Sequence, residues 1–333
     1  MPHPSRAHGA TRRSVLAAAV LAAAAVIGAG PAHAQPDTIV LDWAYYNPVS
    51  LLLREKGWVE EEFAADGIAI EWVQSHGSNK AIEFLNSGSL DFGSTAGSAA
   101  LLAHINGSEI QSVYVYSRPE WTALVTRPDT GITRVEDLAG RTVAVTRGTD
   151  PYVFLLLALA EHGLSESDIQ PVLLQHPDGA NALVRGDVDA WAGLDPMMAT
   201  VQLENDAILF HRNPDLNTWG VLNVRTEFAE EYPELVVRVI KAYERGREYA
   251  LANPDELHAI LRDAAGLSDE VAALQLGERT DFSTPFIGAA QAETITAAGL
   301  ALQEAGVIAA DVDVRAHVDA LINPAFGETY QGN

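Results

Sequence analysis

The sequence predicts an α/β fold of about two domains, and three observations carry that expectation. Short β-branched runs alternate with segments of helical periodicity along most of the chain. A length of 333 residues is about twice that of an ordinary domain. Beyond the first 34 residues there is neither a low-complexity linker nor an internal repeat, so two lobes must be joined by chain segments that cross between them, a hinge.

Taken in order, Thr38–Ala44 reads as the first strand, and Asn47-Pro48 supplies an N-cap and a first-turn proline for a helix running to Phe63. Ile68–Gln74 is the second strand, and Gly77-Ser78-Asn79 opens a helix. Asp91–Ser94 is a short strand before a helix from Gly97, and Val113–Ser117 is a strand. The same grammar then repeats, with strands at Ala123–Thr126, Thr142–Thr146, Val172–Gln175 and Ala190–Gly193. Helices are expected at Pro151–His162, Gly179–Arg185 and Pro196–Glu204. After Asn223 the pattern becomes mostly helical, with segments at Glu234–Ala252, Pro254–Ala264, Asp269–Leu276 and Ala289–Ala305.

Composition excludes several function classes. The chain carries 45 acidic and 21 basic residues, a net charge of −24, which argues against nucleic acid or an anionic membrane surface as partner. It has no cysteine, so thiol catalysis, disulfides, cysteine-ligated metals and a lipid-modified N-terminal cysteine are ruled out. Residues 1–34 read as an export signal. Arg6, Arg12 and Arg13 precede an uncharged apolar run from Val15 to Gly30, and Ala32-His33-Ala34 is a small-x-small cleavage pattern, which places the cut before Gln35. Thr11-Arg12-Arg13-Ser14-Val15-Leu16 resembles a twin-arginine signal, with the general secretory route as the alternative. Cleavage would remove three arginines and no acid, leaving 18 basic against 45 acidic residues, a net −27.

In open α/β sheets ligands sit beyond the carboxyl ends of the strands. Four such strand–helix junctions carry small or hydroxyl residues: Ser75-His76-Gly77-Ser78, Ser94-Thr95-Ala96-Gly97-Ser98, Arg147-Gly148-Thr149-Asp150 and Asp195-Pro196. Exposed amides and the dipole at a helix N-terminus bind an anion without any lysine. At each junction the alternative is that Ser or Thr simply caps its helix.

Four segments carry a family resemblance: Asp42-Trp43-Ala44-Tyr45-Tyr46-Asn47-Pro48, the run Phe84–Gly93, the run Asp137–Ala144 and Gly186-Asp187-Val188-Asp189-Ala190-Trp191. Together they resemble the solute-binding proteins of ABC importers for aliphatic sulfonates, taurine and nitrate, over about residues 38–260. The resemblance implies a two-lobed periplasmic-binding-protein-like fold (type II), each lobe a sheet flanked by helices, with a ligand cleft between them. Lobe one would be 35–117 plus 222–333, and lobe two 118–221. It further implies an exported periplasmic monomer that takes a small anionic solute to an inner-membrane permease without a cofactor. The solute would be a sulfonate, with nitrate or a heterocyclic thiamine precursor as the alternative.

Carried over by residue, the anion grip falls on Thr95, Ala96 and Gly97 in lobe one and on Gly148 and Thr149 in lobe two, with Ser75 and Gly77 beside it. Trp191 and Asp195 would meet the rest of the solute. Where many sulfonate binders have Gly-Tyr-Gln, this chain has Trp43-Ala44-Tyr45-Tyr46, whose two phenols would suit a compact alkyl or aromatic body. Arg118 has two readings: a fork onto the anion, or a pair with Glu120. Trp121 is read as cleft or core, and Trp219 as packing.

Catalysis finds little in the sequence. Gly93-Ser94-Thr95-Ala96-Gly97 matches a nucleophile elbow only in its glycines, and no Walker or G-x-G-x-x-G loop is present. An enzyme of pyrimidine-synthase type shares the expected fold but relies on cysteines this chain lacks. His76 and His176 stand in loops beside the expected cleft without a metal-binding partner motif.

Overall fold

A computed structural model describes residues 35–332. The expected export signal, residues 1–34, lies outside the described residues. Eleven strands follow in chain order: β1 Thr38–Trp43, β2 Ala69–Gln74, β3 Phe92–Ala96, β4 Ile110–Pro119, β5 Leu124–Thr126, β6 Thr142–Val145, β7 Gln170–Leu173, β8 Ala190–Ala192, β9 Ile208–His211, β10 Gly220–Arg225 and β11 Thr280–Asp281. They form two sheets, ordered β11-β4-β10-β3-β1-β2 and β7-β6-β8-β5-β9. In the first sheet β2, β1 and β3 run parallel, and β10 is antiparallel to both β3 and β4. In the second, β7, β6 and β8 are parallel and β5 is antiparallel. The chain leaves the first sheet between Pro119 and Leu124 and returns between His211 and Gly220, so two crossings join the lobes.

Apolar side chains cover both faces of each sheet. In the first lobe, helices Pro48–Lys56 and Pro233–Ala252 cover one face around Leu41, Phe92 and Tyr243. Helices Gly97–Ile105 and Ala289–Glu304 cover the other, and Val153, Leu156 and Leu157 of the second-lobe helix Asp150–Glu161 join that same core. Packing therefore continues from one lobe into the other. In the second lobe, alternation along β8 sends Ala190 and Ala192 to one core and Trp191 to the opposite one.

Most expected elements are present, with two informative differences. The single helix expected from Asn47 to Phe63 is two, Pro48–Lys56 and Trp58–Phe63, because Gly57 adopts the left-handed conformation (φ 65°) that ends a helix. Strands β9 and β10 were not expected. The β10 sequence Gly-Val-Leu-Asn-Val-Arg lacks clean alternation, yet it lies in the middle of the first sheet. Buried Asn223 is satisfied there by Ser112 Oγ, Gly93 O and Thr95 Oγ1. Gly220 is required because a Cβ would fall 2.4 Å from the Tyr116 ring.

Candidate functional site

The site is built on the carboxyl ends of three parallel strands. Asp42 near the end of β1, Ser75 just past β2 and Ser94 on β3 meet in a buried network. Asp42 accepts hydrogen bonds from Ser75 Oγ (2.5 Å), Ser94 N (2.9 Å) and Ser94 Oγ (2.8 Å). Asn47 donates to Ser94 Oγ and also caps its helix at Ser50 N. The Tyr46 hydroxyl donates to Ser94 O at 3.0 Å and lies 2.9 Å from Ser75 Oγ. Burial pushes the Asp42 carboxyl up to about 6 against these donors. Tyr46 and Ser75 are thus knit into the floor, and the Tyr46 ring meets Trp121 of the first crossing edge-on at 6.0 Å.

Above the floor lie the helix starts, and they differ. At Gly97–Ile105 the amides are already used: Gly97 N donates to Trp219 O at 2.9 Å and Ser98 N to Thr218 Oγ1 at 3.1 Å. Ala96 N donates to Ser78 Oγ, and the Thr95 hydroxyl is held between Ala96 O and Asn223. At the expected grip on Thr95, Ala96 and Gly97, an anion would have to displace these bonds. Helix Ser78–Asn86, by contrast, starts at Gly77 with no side-chain cap. In the second lobe, helix Asp150–Glu161 also starts uncapped, because Thr149 turns its hydroxyl back onto Thr146 O (2.6 Å) after Gly148 at φ 75°. Helix His176–Arg185 is uncapped at Gln175.

These three starts meet across the lobes. A Cβ on Gly77 would stand 3.1 Å from His176 Nε2, and one on Gly148 would stand 3.4 Å from Asn79 Cβ. Each helix end presents about half a positive charge. His176 is fully buried, and burial pushes its pKa down to about 3, so the ring is neutral. Its Nδ1 lies 3.3 Å from Thr146 Oγ1, whose own proton goes to Leu174 O, so Nδ1 carries the ring hydrogen. Nε2 is left with a bare lone pair and no partner, beside Gly77.

The remaining expected residues lie around this point rather than in it. The Asp150 carboxylate faces the hinge, accepting from Ser98 Oγ, Trp121 Nε1 and both the amide and hydroxyl of Thr218. Asp195 is not open to a solute: it accepts Ala199 N and a buried two-oxygen contact from Arg279, 3.0 and 3.2 Å, across the lobes. Burial raises its carboxyl to about 6, with Arg279 opposing the rise. Trp191 is fully buried against Gly179, where a Cβ would lie 2.7 Å from its Nε1, so it belongs to the second-lobe core rather than the cleft. Arg118 is exposed and sits over the Trp219 ring at 5.4 Å, while Glu120 pairs with Arg212. Tyr45 is half-buried and lines a cleft of about 390 Å³ together with Pro177 and Met197.

Sequence reasoning missed Asp42, Asn79, Thr218 and Arg279, and weighed His176 only as a metal ligand. His176 did carry a signal in the Pro177 that follows it, a residue favoured in a helix's first turn. Among the described residues no cluster of His, Asp and Glu could hold a metal ion, and no helix is long and apolar enough to cross a membrane.

Comparison with known proteins gives four findings. The family model described as NMT1/THI5 like matches residues 51–257. A Bacillus subtilis (strain 168) protein, named provisionally as an aliphatic sulfonates-binding protein, is 28% identical over 255 residues, 76% of this chain and 77% of the relative. The taurine-binding periplasmic protein of Escherichia coli (strain K12) is 28% identical over 198 residues, 57% of this chain and 60% of the relative. Among solved structures, the alkanesulfonate-binding protein SsuA from Xanthomonas axonopodis pv. citri, bound to MOPS, aligns with a TM-score of 0.78 at 22% identity. That alignment covers 87% of this chain and 99% of the other. The neighbour establishes the fold: two sheets flanked by helices in the arrangement of periplasmic binding proteins.

Proposed function

The chain belongs to the NMT1/THI5-like family, and from that premise we propose that it is the periplasmic solute-binding component of an ABC import system. In this reading it captures a small organic sulfonate, an alkanesulfonate or a taurine-like solute, and delivers it to an inner-membrane permease. One observation carries the reading: three uncapped helix starts, one from the first lobe and two from the second, meet at Gly77, Gly148 and His176. Like ends of helix dipoles brought together repel, and a monoanion placed among them turns that repulsion into attraction. A sulfonate offers three oxygens to amides on Gly77–Asn79 and Gly148–Asp150, so binding and lobe closure become one event. The lone pair of His176 Nε2 accepts a hydrogen bond from an amine or hydroxyl on the same solute, a role the sequence had given to Asp195. The protein works as an exported monomer, cleaved near Ala34, without a cofactor and without catalysis.

A thermal-shift assay on mature protein tests this. Taurine or ethanesulfonate at about 100 times its dissociation constant should add about 2.7 kcal/mol of stability, while the uncharged isostere ethyl methyl sulfone should add none. No response to any sulfonate, or an equal response to the sulfone, refutes anion capture. A larger shift with nitrate would move the reading to an inorganic anion, and release of sulfite from a bound sulfonate would make the protein an enzyme.

A further inference from the structure

Among the described residues His176 Nε2 is a buried acceptor without a donor, and it stands at the open helix start itself, 3.1 Å from where a Cβ on Gly77 would be. Its tautomer is pinned from behind. Thr146 Oγ1 gives its own proton to Leu174 O at 2.7 Å and takes the Nδ1 hydrogen at 3.3 Å, so Nε2 offers a lone pair and nothing else. Asn79 Oδ1 is a second unpartnered acceptor, 2.9 Å from the same Cβ position. Its carboxamide turns over to offer Nδ2 to an anion, whereas the imidazole, tied at Nδ1, has no such freedom. The charged groups on the segments around Nε2 are His76 and Lys80 beside Gly77, Arg147 and Asp150 after Thr146, and Asp178 on its own helix. Lys80 pairs with Glu83, Arg147 with Glu166 and Asp150 with the hinge donors, while His76 and Asp178 are exposed. A donor for Nε2 therefore has to come from the solute.

A sulfonate head carries three oxygens and no hydrogen, so against Nε2 it sets lone pair on lone pair. The monoanion of a phosphonate has the same charge and the same tetrahedral shape, but one of its oxygens is a P–OH. Resting on the anion-capture reading above, we propose that the site also takes alkylphosphonates, as their monoanions, and prefers them to sulfonates with the same carbon body. Two oxygens accept from the amides at Gly77–Asn79 and Gly148–Asp150, and the P–OH donates to His176 Nε2. A buried acceptor left without its hydrogen bond weakens binding, and a site shaped to pair with a hydroxyl rejects the analogue that lacks one. Loss of the second proton turns the phosphonate into a dianion, which has no donor left and meets Nε2 as a sulfonate does. Phosphonate binding is therefore lost as pH rises through that ionisation, and sulfonate binding, with no second proton to lose, is not. Burial holds the His176 pKa down at about 3, so the ring itself stays neutral throughout.

Titration calorimetry of the mature protein with ethylphosphonate and ethanesulfonate, at about pH 5.5 and about pH 9, tests it. At the lower pH the phosphonate should bind about tenfold more tightly. At the higher pH that advantage should be gone, with the sulfonate as the control for titration of the protein's own groups. Thr146→Val removes the acceptor that pins Nδ1 and frees the ring to carry its hydrogen on Nε2, so it should invert the preference at the lower pH. The imidazole ¹⁵N spectrum reads the same contact without affinity: the Nε2 resonance should move away from its bare-nitrogen position with ethylphosphonate and stay there with ethanesulfonate. Ethanesulfonate binding as tightly as ethylphosphonate at the lower pH overturns the phosphonate proposal and leaves anion capture standing, as does a phosphonate advantage that persists at the higher pH. Binding of neither probe at either pH overturns anion capture and the proposal with it.

Discussion

Two helix starts of the first lobe lie side by side, and the sequence gives them the same credentials. Gly97–Ile105 follows Ser-Thr-Ala, and Ser78–Asn86 follows Ser-His-Gly. In the structure the first is closed by the returning chain, with Trp219 O and Thr218 Oγ1 on its leading amides. The second has no side-chain cap and looks onto His176 and Gly148 of the other lobe. A helix N-terminus therefore becomes an anion site only where the rest of the fold leaves its amides unspent. Which one that is depends on residues more than a hundred positions away.

The largest effect should come from closing the open start. Gly77→Val places a side chain against His176 and Asn79, so the lobes cannot meet there. Sulfonate affinity should fall by more than about 100-fold, with circular dichroism unchanged. Affinity within a few-fold of wild type would move the anion elsewhere.

Breaking the closed start should do the reverse. Thr218→Val removes the acceptor of Ser98 N and one donor to buried Asp150. Urea unfolding should register a loss of about 1–3 kcal/mol, with affinity nearly unchanged. A collapse of affinity without loss of stability would restore the Gly97 start as part of the grip.

The floor supplies a smaller, pH-dependent effect. Folding raises Asp42 from an ordinary carboxylate value to about 6, so between roughly pH 4 and 6 the folded chain holds the proton more tightly than the unfolded one. Stability from this group is present at low pH and is lost as pH rises through 6. His176 works in the opposite sense, since its depressed pKa makes acid below about 6.5 destabilising. Asp42→Asn isolates the first term: unfolding at pH 5 and 7.5 should show the variant gaining on wild type at the higher pH, by at most about 3 kcal/mol. A constant difference between the two pH values would mean that Asp42 keeps its ordinary carboxylate value.

The smallest effect concerns rates. The charge of −27 on residues 35–333 repels an incoming anion, but that field decays over about 8 Å in physiological salt, whereas the helix amides of the proposed site would touch the solute. In stopped-flow tryptophan fluorescence, added salt should speed association by a few-fold and leave dissociation alone. Slower association with salt would require a basic entrance instead.

What the sequence made legible was what local chemistry controls. Asn47-Pro48 named a helix start, the Val- and Ile-rich runs named the parallel strands, and the strand–helix junctions named the loops from which the proposed site is built. It did not make legible what depends on long-range pairing. β10 reads as an irregular run because its buried Asn223 is satisfied by β3 and β4, neither adjacent in sequence. Asp195 reads as a free carboxylate at a strand end until Arg279, 84 residues on, reaches it. Trp191 sits one residue from positions that face the other way, so which of the two cores it enters turns on strand register, which the local pattern of Ala-Trp-Ala leaves open.

The central claim is that backbone amides at the uncapped helix starts, not a cationic side chain, hold the anion. Two-dimensional ¹H–¹⁵N correlation spectra of the mature protein, titrated with ethanesulfonate, test it directly. The amide protons of Gly77, Ser78, Gly148 and Thr149 should move downfield together in proportion to occupancy, while those of Gly97 and Ser98 stay in place. Shifts confined to Gly97 and Ser98, or to the Arg118 side chain with the four amides unmoved, would contradict the account.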